Sequence, residues 1–194
     1  MFIRSERLFL RPAWPEDWAE LHVAIDDADV VRNLARAPWP YKAEDAHWFV
    51  NRPQDAHHPD FLITLPGAEG ARIIGCAGIA PGEQGAVELG YWIARSHWGR
   101  GFATEAARAV LSVARSLGQD RIEASHFLDN PASGRVLRKL GFTPTGEHRP
   151  RRSAGRGAVV TSVVYEIRLG TATGGDGGDG GAGGSEGEPM RRAA

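Results

Sequence analysis

Between residues 60 and 94 apolar runs alternate with glycine–proline breaks. Asp60–Leu65, Arg72–Ala80 and Ala86–Ala94 are rich in aliphatic and β-branched residues, and Pro66-Gly67 and Pro81-Gly82 separate them. That pattern predicts three strands in an antiparallel meander. The spacing then changes: Ala106, Val110, Val113, Ala114 and Leu117 recur at helical intervals, predicting a helix over about 101–117 that stops at Gly118. On the N-terminal side, Arg7–Arg11 reads as a short strand ended by Pro12. Pro15-Glu16-Asp17 opens a helix with Trp18, Leu21, His22 and Ile25 on one face, its acids in the first turn as the helix dipole prefers. Further helices are predicted over Ala28–Leu34 and Glu44–Asn51, with a loop at Ala37–Tyr41 between them. On the C-terminal side, Arg121–His126 reads as a strand and Pro131–Leu140 as a helix. Thr143–His148 and Ala158–Leu169 read as closing strands. The fold class is mixed α/β, a largely antiparallel sheet of six to seven strands flanked by helices.

Composition changes this picture mainly at the C-terminus. Residues 174–188 hold nine glycines and four acids and almost nothing apolar. Such a stretch buries too little surface to offset the entropy of ordering it, so residues 171–194 are expected to form a disordered acidic tail after one domain spanning 1–170. The tail carries four acids and two arginines against a whole-chain net charge of −1, leaving the body near +1. This near-neutral balance argues against a nucleic-acid partner. The single cysteine, Cys76, sits in an apolar run and reads as a small buried hydrophobe; one cysteine excludes an internal disulfide and a cysteine-based zinc site. Neither a signal-peptide core nor a run of about 20 apolar residues is visible, so a cytoplasmic protein without a membrane partner, a monomer or homodimer, is expected.

Two segments carry candidate chemistry. Trp98-Gly99-Arg100-Gly101-Phe102-Ala103-Thr104 joins a strand to the longest helix. Glycines let backbone approach a ligand, the first helical N–H groups point toward it, and Arg100 adds positive charge. A plain strand-to-helix turn explains the same glycines equally well. A P-loop is excluded by the missing Gly-Lys-Ser/Thr, and a dinucleotide fingerprint by Thr104 in place of a third glycine. The second segment is Asn130-Pro131-Ala132-Ser133. Asn130 suits a helix N-cap and Pro131 the first helical position, a structural role compatible with ligand contact at the same exposed end.

Together these segments resemble the GNAT superfamily of N-acetyltransferases, and within it the RimJ/RimL-like branch of ribosomal-protein acetyltransferases. The resemblance runs from about Glu6 to Leu169. It is carried by Ser5-Glu6-Arg7-Leu8-x-Leu10-Arg11, Trp39-Pro40-Tyr41, Glu88-Leu89-Gly90-Tyr91-Trp92-Ile93, Trp98 to Ala106, and Asn130-x-x-Ser133 through Leu140-Gly141-Phe142. Trp98 departs from the Gln or Arg that usually opens the phosphate motif. The resemblance implies acetyl-CoA as co-substrate, no metal, and a primary amine as acceptor, either a protein N-terminus or a small molecule. It further implies a splay between the fourth and fifth strands, the pantetheine arm lying along Tyr91-Trp92-Ile93 and the pyrophosphate on residues 98–104, with Asn130 nearby.

Acetyl transfer requires a neutral amine, although a free α-amine titrates near about 8 and a lysine near about 10. It also requires a stabilised carbonyl oxygen and a proton for the departing thiolate. Glu88, the one carboxylate on its strand, is the candidate base, directly or through water; strand periodicity puts it on the face of Gly90 and Trp92 unless a bulge intervenes. Ser133 is the candidate acid, because the Pro131–Leu140 helix lacks the tyrosine that many superfamily members use there. A solvated strand glutamate and a first-turn serine remain the plain alternatives. At the level of function, a non-catalytic acyl-CoA-binding module and an RNA-binding protein are the competing classes. Arg149, Arg151, Arg152 and Arg156 are expected to crowd the last hairpin as a solvated loop or an acceptor-docking loop. Asp55-Ala56-His57-His58-Pro59-Asp60 reads as a polar loop.

Overall fold

A computed structural model describes residues 1–82 and 85–170. The predicted acidic tail lies outside the described residues. Among the described residues eight strands form one sheet: β1 (Ile3–Arg4), β2 (Phe9–Arg11), β3 (Asp60–Leu65), β4 (Arg72–Pro81), β5 (Val87–Ile93), β6 (Arg121–Phe127), β7 (Thr143–Ser153) and β8 (Ala158–Arg168). Their order is β1-β2-β3-β4-β5-β6-β8-β7. The helices are α1 (Trp18–Ile25), α2 (Ala28–Val31), α3 (Ala43–Asn51), α4 (Phe102–Ser116) and α5 (Pro131–Lys139).

The sheet is buried on both faces, and strand alternation deals residues to the two sides. Leu8, Leu10, Phe61, Ile63, Leu89, Ile93 and Ile122 pack with Phe102, Ala106, Val110 and Ala114 of α4 and Leu137 of α5. On the other face, Leu62 and Ile73 meet Leu21 and Ile25 of α1, Val30 and Val31 of α2, and Ala46 and Val50 of α3. Pairing between β3 and β4 shifts register at Ile63/Thr64. This shift sets Ile74 on the same face as Ala77 and Ile79, in the α4-side core, and leaves Ile73 to the other. Gly75 follows, where a Cβ would lie 2.2 Å from the Trp92 carbonyl oxygen. Cys76 is buried, as its apolar surroundings suggested, and burial pushes its thiol up to about 12.

The meander β3–β4–β5 is antiparallel throughout. The one parallel junction is β5–β6, because α4 carries the chain across the sheet between these two strands. Pairing there is confined to Val87↔Ile122 and Glu88↔Glu123, and beyond Glu88 the strands part. Two expectations change. The eighth strand is Ile3–Arg4, too short to carry a periodic signal, which pairs with β2. The second correction concerns the arginines: Arg149, Arg151 and Arg152 lie within β7, which runs to Ser153, and only Arg156 sits in the turn. Pro150 masked the strand in the sequence. It is tolerated because β7 is the sheet's edge, where one ladder donor can be missing.

Candidate active site

The parting of β5 from β6 opens a cleft of about 400 Å³. Its walls are β5 from Leu89 to Ile93, the turn leading into α4 and its first residues, β6 from Ala124 to His126, one side of α5 from Ala132 to Lys139, and Val30, Asn33 and Leu34 at and after α2. At one end stands the start of α4. Gly99 and Gly101 adopt left-handed backbone, with φ of 73° and 82°. A Cβ at Gly99 would meet nothing and one at Gly101 only Arg7 Nη2 at 3.5 Å, so conformation rather than space calls for glycine at both. Gly101 occupies the N-cap without a capping side chain, and the first amides of α4 have no carbonyls a turn earlier to receive them. Trp98, Gly99, Gly101, Phe102, Ala103 and Thr104 all border the cleft. Arg100 does not; its guanidinium stacks 4.9 Å from the centre of the Phe102 ring. The Trp98 indole N–H donates to the Ile93 carbonyl at 2.6 Å, pinning the turn to the end of β5.

A brace for this turn comes from the opposite end of the chain. Glu105, in the first turn of α4, accepts from the Arg7 backbone N–H and the Ser5 hydroxyl, both at 2.7 Å, and from the Arg7 guanidinium at 2.7–2.8 Å. Arg7 also donates to the Arg100 carbonyl at 3.0 Å and lies 4.6 Å from the Phe102 ring centre. Burial alone would raise the Glu105 carboxyl, but these donors outweigh it and hold it below its usual value. The sequence motif containing Ser5 and Arg7 was visible, but nothing in it pointed to residue 105. Nearby His97 is held down by burial and by the positive charge of Arg100.

On the α4–α5 face, the Tyr91 hydroxyl lies 2.8 Å from Ser133 Oγ and 3.3 Å from the Ser133 carbonyl oxygen. Asn130 caps α5 with its side chain accepting from the Ser133 N–H at 3.3 Å, and Pro131 takes the first helical position. Among the cleft-lining residues not singled out from the sequence are His126, Arg135 and Lys139. The last two are four apart on α5, so they share a helix face, a spacing that was readable in the sequence. His126 bonds through Nδ1 to the Phe127 carbonyl at 2.8 Å, and its ring explains Gly134, where a Cβ would lie 2.6 Å from Nε2.

On the opposite face stands Glu88. Strand β5 keeps continuous register with β4, without a bulge, so Glu88, Gly90 and Trp92 do share one side. Glu88 is not solvated: Arg151 grips both carboxylate oxygens, Nη1 on Oε1 and Nη2 on Oε2, the latter at 2.7 Å. The Ser125 hydroxyl donates to Oε1 at 3.0 Å. Beside it Arg149 pairs with Glu123 at 3.0 Å and Glu147 at 2.6 Å. Arg156 pairs with Asp129 and donates to the Arg32 carbonyl at 2.7 Å. Arg149, Arg151 and Arg156 therefore face carboxylates within the fold rather than standing in a solvated loop, and Arg152 is exposed. The β7–β8 turn is also fastened over the segment after α2, by Ala154 N–H to the Ala35 carbonyl at 2.9 Å and Ser153 Oγ to the Leu34 carbonyl at 3.2 Å.

Among the described residues, no helix is long and apolar enough to cross a membrane. Comparison with known proteins agrees with the geometry. Residues 7–143 match the family model described as an acetyltransferase (GNAT) domain. The chain is 32% identical over 169 residues to the N-acetyltransferase p20 of Bacillus licheniformis, covering 84% of this chain and 93% of that protein. A GNAT acetyltransferase from Bacillus anthracis has a similar structure, with a TM-score of 0.74 at 27% identity over 87% of this chain and 99% of that one. The ribosomal L7/L12 α-N-protein acetyltransferase RimL, solved with coenzyme A, shares the fold at TM-score 0.67 and 20% identity, over 87% of this chain and 98% of that one. A sheet that splays at its one parallel junction, opposite a glycine-opened helix, thus sits in a chain that belongs to the GNAT family of N-acetyltransferases.

Proposed function

We propose that the protein transfers the acetyl group of acetyl-CoA to the α-amine of a polypeptide N-terminus, as in the RimJ/RimL-like branch. The observation that carries the coenzyme half of this reading is the cleft itself. It joins the uncapped start of α4 to the separated edges of β5 and β6, and no Asp or Glu borders it among the described residues. The pyrophosphate lies on the amides of residues 99–104, where the helix dipole favours an anion. Arg135 and Lys139 add positive charge from the facing wall. Asn130, at the cap of α5, lies along the same path. The pantetheine arm runs beside Tyr91-Trp92-Ile93, taking the place of the missing β6 partner, and a main-chain N–H of that edge polarises the thioester carbonyl.

The amine enters from the Glu88 face. It arrives as an ammonium and competes with Arg151 for the carboxylate; Glu88 then takes its proton, directly or through water. The lone pair attacks the carbonyl carbon, the C–S bond breaks with its electrons on sulfur, and the Ser133 hydroxyl faces the departing thiolate. Support for a slender acceptor comes from the β7–β8 turn, whose tethers to residues 32–35 narrow this side of the sheet. A small free amine is the second reading, supported by the same narrow access.

Calorimetric titration with acetyl-CoA, alongside a free-thiol release assay on N-terminal peptides, polyamines, amino acids and aminoglycosides, tests both halves. Tight coenzyme binding with release on unblocked peptides supports the proposal. Release confined to polyamines or other small amines overturns the acceptor, and absence of binding overturns the site.

A further inference from the structure

The leaving-group side of the cleft contains a tyrosine that the sequence placed on a strand and the tertiary structure brings to a helix. Tyr91 projects from β5 toward α5, and its hydroxyl lies 2.8 Å from Ser133 Oγ. Burial pushes the phenol up to about 12, partly offset by the Ser133 contact, so it is a protonated O–H donor at any working pH. It has a single proton to give. A phenol is the stronger acid of the two hydroxyls, and the contact to Oγ is shorter than the 3.3 Å to the Ser133 carbonyl, which together aim that proton at Oγ. The Ser133 hydroxyl is then an acceptor on one side and retains its own proton for a partner in the cleft. A chain of hydroxyls polarises along its length, so a serine that accepts from a phenol is a better donor than a serine alone. Asn130 fixes the other end of the same residue by accepting from its backbone N–H.

We propose that Tyr91 is a positioning residue for acetyl transfer: it orients and polarises the Ser133 hydroxyl so that the hydroxyl proton is directed at the thioester sulfur. The inference rests on the reading above, in which the arm of acetyl-CoA passes between the parted edges of β5 and β6. It answers the absence of a tyrosine from α5 by recruiting one from the facing strand. The step balances without a proton leaving Tyr91. As the C–S bond breaks, its electron pair stays on sulfur, held by the Ser133 O–H. An amine that arrives as an ammonium surrenders two protons, one to Glu88 or water before it attacks and one to water as the amide forms, and solvent delivers one to the thiolate as coenzyme A leaves. A free thiol titrates near about 8.5, so Tyr91 does not ionise to supply that proton itself.

This role predicts a property of the product complex that needs no knowledge of the acceptor. Coenzyme A bound to the wild-type protein should ionise at lower pH than coenzyme A free in solution, followed by the ultraviolet absorbance of its thiolate. In Tyr91→Phe the curve should move back by about tenfold in proton concentration, with coenzyme A affinity at low pH unchanged within about twofold. Ser133→Ala should move it at least as far, and the double variant no further than Ser133→Ala alone, because Tyr91 acts through Ser133. Once an acceptor is in hand, kcat should follow the same order and KM for acetyl-CoA should not. If Tyr91→Phe proves unfolded, 3-fluorotyrosine at position 91 should shift ionisation to still lower pH, since it is the stronger donor. A thiolate curve identical in wild type and Tyr91→Phe, or one shifted additively in the double variant, overturns the positioning role. Failure of coenzyme A to bind the wild type overturns the underlying coenzyme reading instead.

Discussion

The two faces of the cleft are built from different kinds of information. The helix end proposed to receive the pyrophosphate is made of chain neighbours: Trp98 to Thr104 turn at two left-handed glycines and enter α4. The carboxylate on the other face is set by strangers in sequence. Glu88 meets Ser125, 37 residues away, and Arg151, 63 residues away, each on a different strand. A site held by backbone conformation is rigid and tolerates changes around it as long as the glycines remain. A site held by side-chain ion pairs is adjustable, because an arriving cation can exchange for a resident one. In the proposed reaction this division is useful: the coenzyme is the same at every turnover, whereas the acceptor displaces Arg151 to reach Glu88.

The comparison breaks most sharply at Gly101. Gly101→Glu forces a side chain into left-handed backbone and sets a carboxylate among amides meant for phosphate. Acetyl-CoA affinity should fall by about 100-fold or more in a calorimetric titration, and unchanged affinity would rule out the cradle. Next in size is Glu88→Gln, for which turnover should drop by about 100-fold while acetyl-CoA affinity stays within about twofold, in line with ordinary general-base contributions. Turnover that survives places the base elsewhere.

Arg151→Met probes the adjustable side by stranding Glu88. Both partners are partly exposed, so the loss should be about 1–2 kcal/mol in urea unfolding rather than the larger cost of a fully buried pair. Combining it with Glu88→Gln should restore most of that loss, and additive losses would show that the pair is not a unit. The smallest effect belongs to the brace at the rigid end. The Glu105 carboxyl is held below its usual value, so its contribution is present above about pH 4.3 and fades as pH falls through the depressed value. Glu105→Gln should therefore cost about 1 kcal/mol at pH 7 and progressively less below pH 4. A penalty that does not shrink in acid would mean the carboxylate's charge is not what holds Ser5 and Arg7.

Much of the fold was legible because it is written in local period. The meander, α4 with its stop at Gly118, and the Asn130–Pro131 start of α5 all follow from alternation, helical spacing or capping chemistry, and each stands within a few residues of its expected place. The misses have specific causes. Strand β1 has two residues, below the length at which a period exists. Strand β7 was shortened by Pro150 and by the irregularity between Pro144 and His148, both of which interrupt alternation without interrupting the sheet. Within the candidate site, the glycine turn before α4 and the strand face that carries Glu88 were readable. The partners were not: Arg7 with Glu105, Tyr91 with Ser133 and Arg151 with Glu88 join residues from 42 to 98 positions apart.

The sequence by itself determined where backbone must take a conformation few residues allow, where a helix begins and ends, and which residues of a strand share a side. These are consequences of dihedral preference and of the strand and helix periods, and they act over a handful of residues. Tertiary structure alone decided which side chain answers which. Hydrogen bonds and ion pairs have ranges of a few ångströms and no memory of chain separation. The carboxylate of Glu88, the hydroxyl of Ser133 and the first turn of α4 acquired their partners only when α4 crossed the sheet and left β5 and β6 parted.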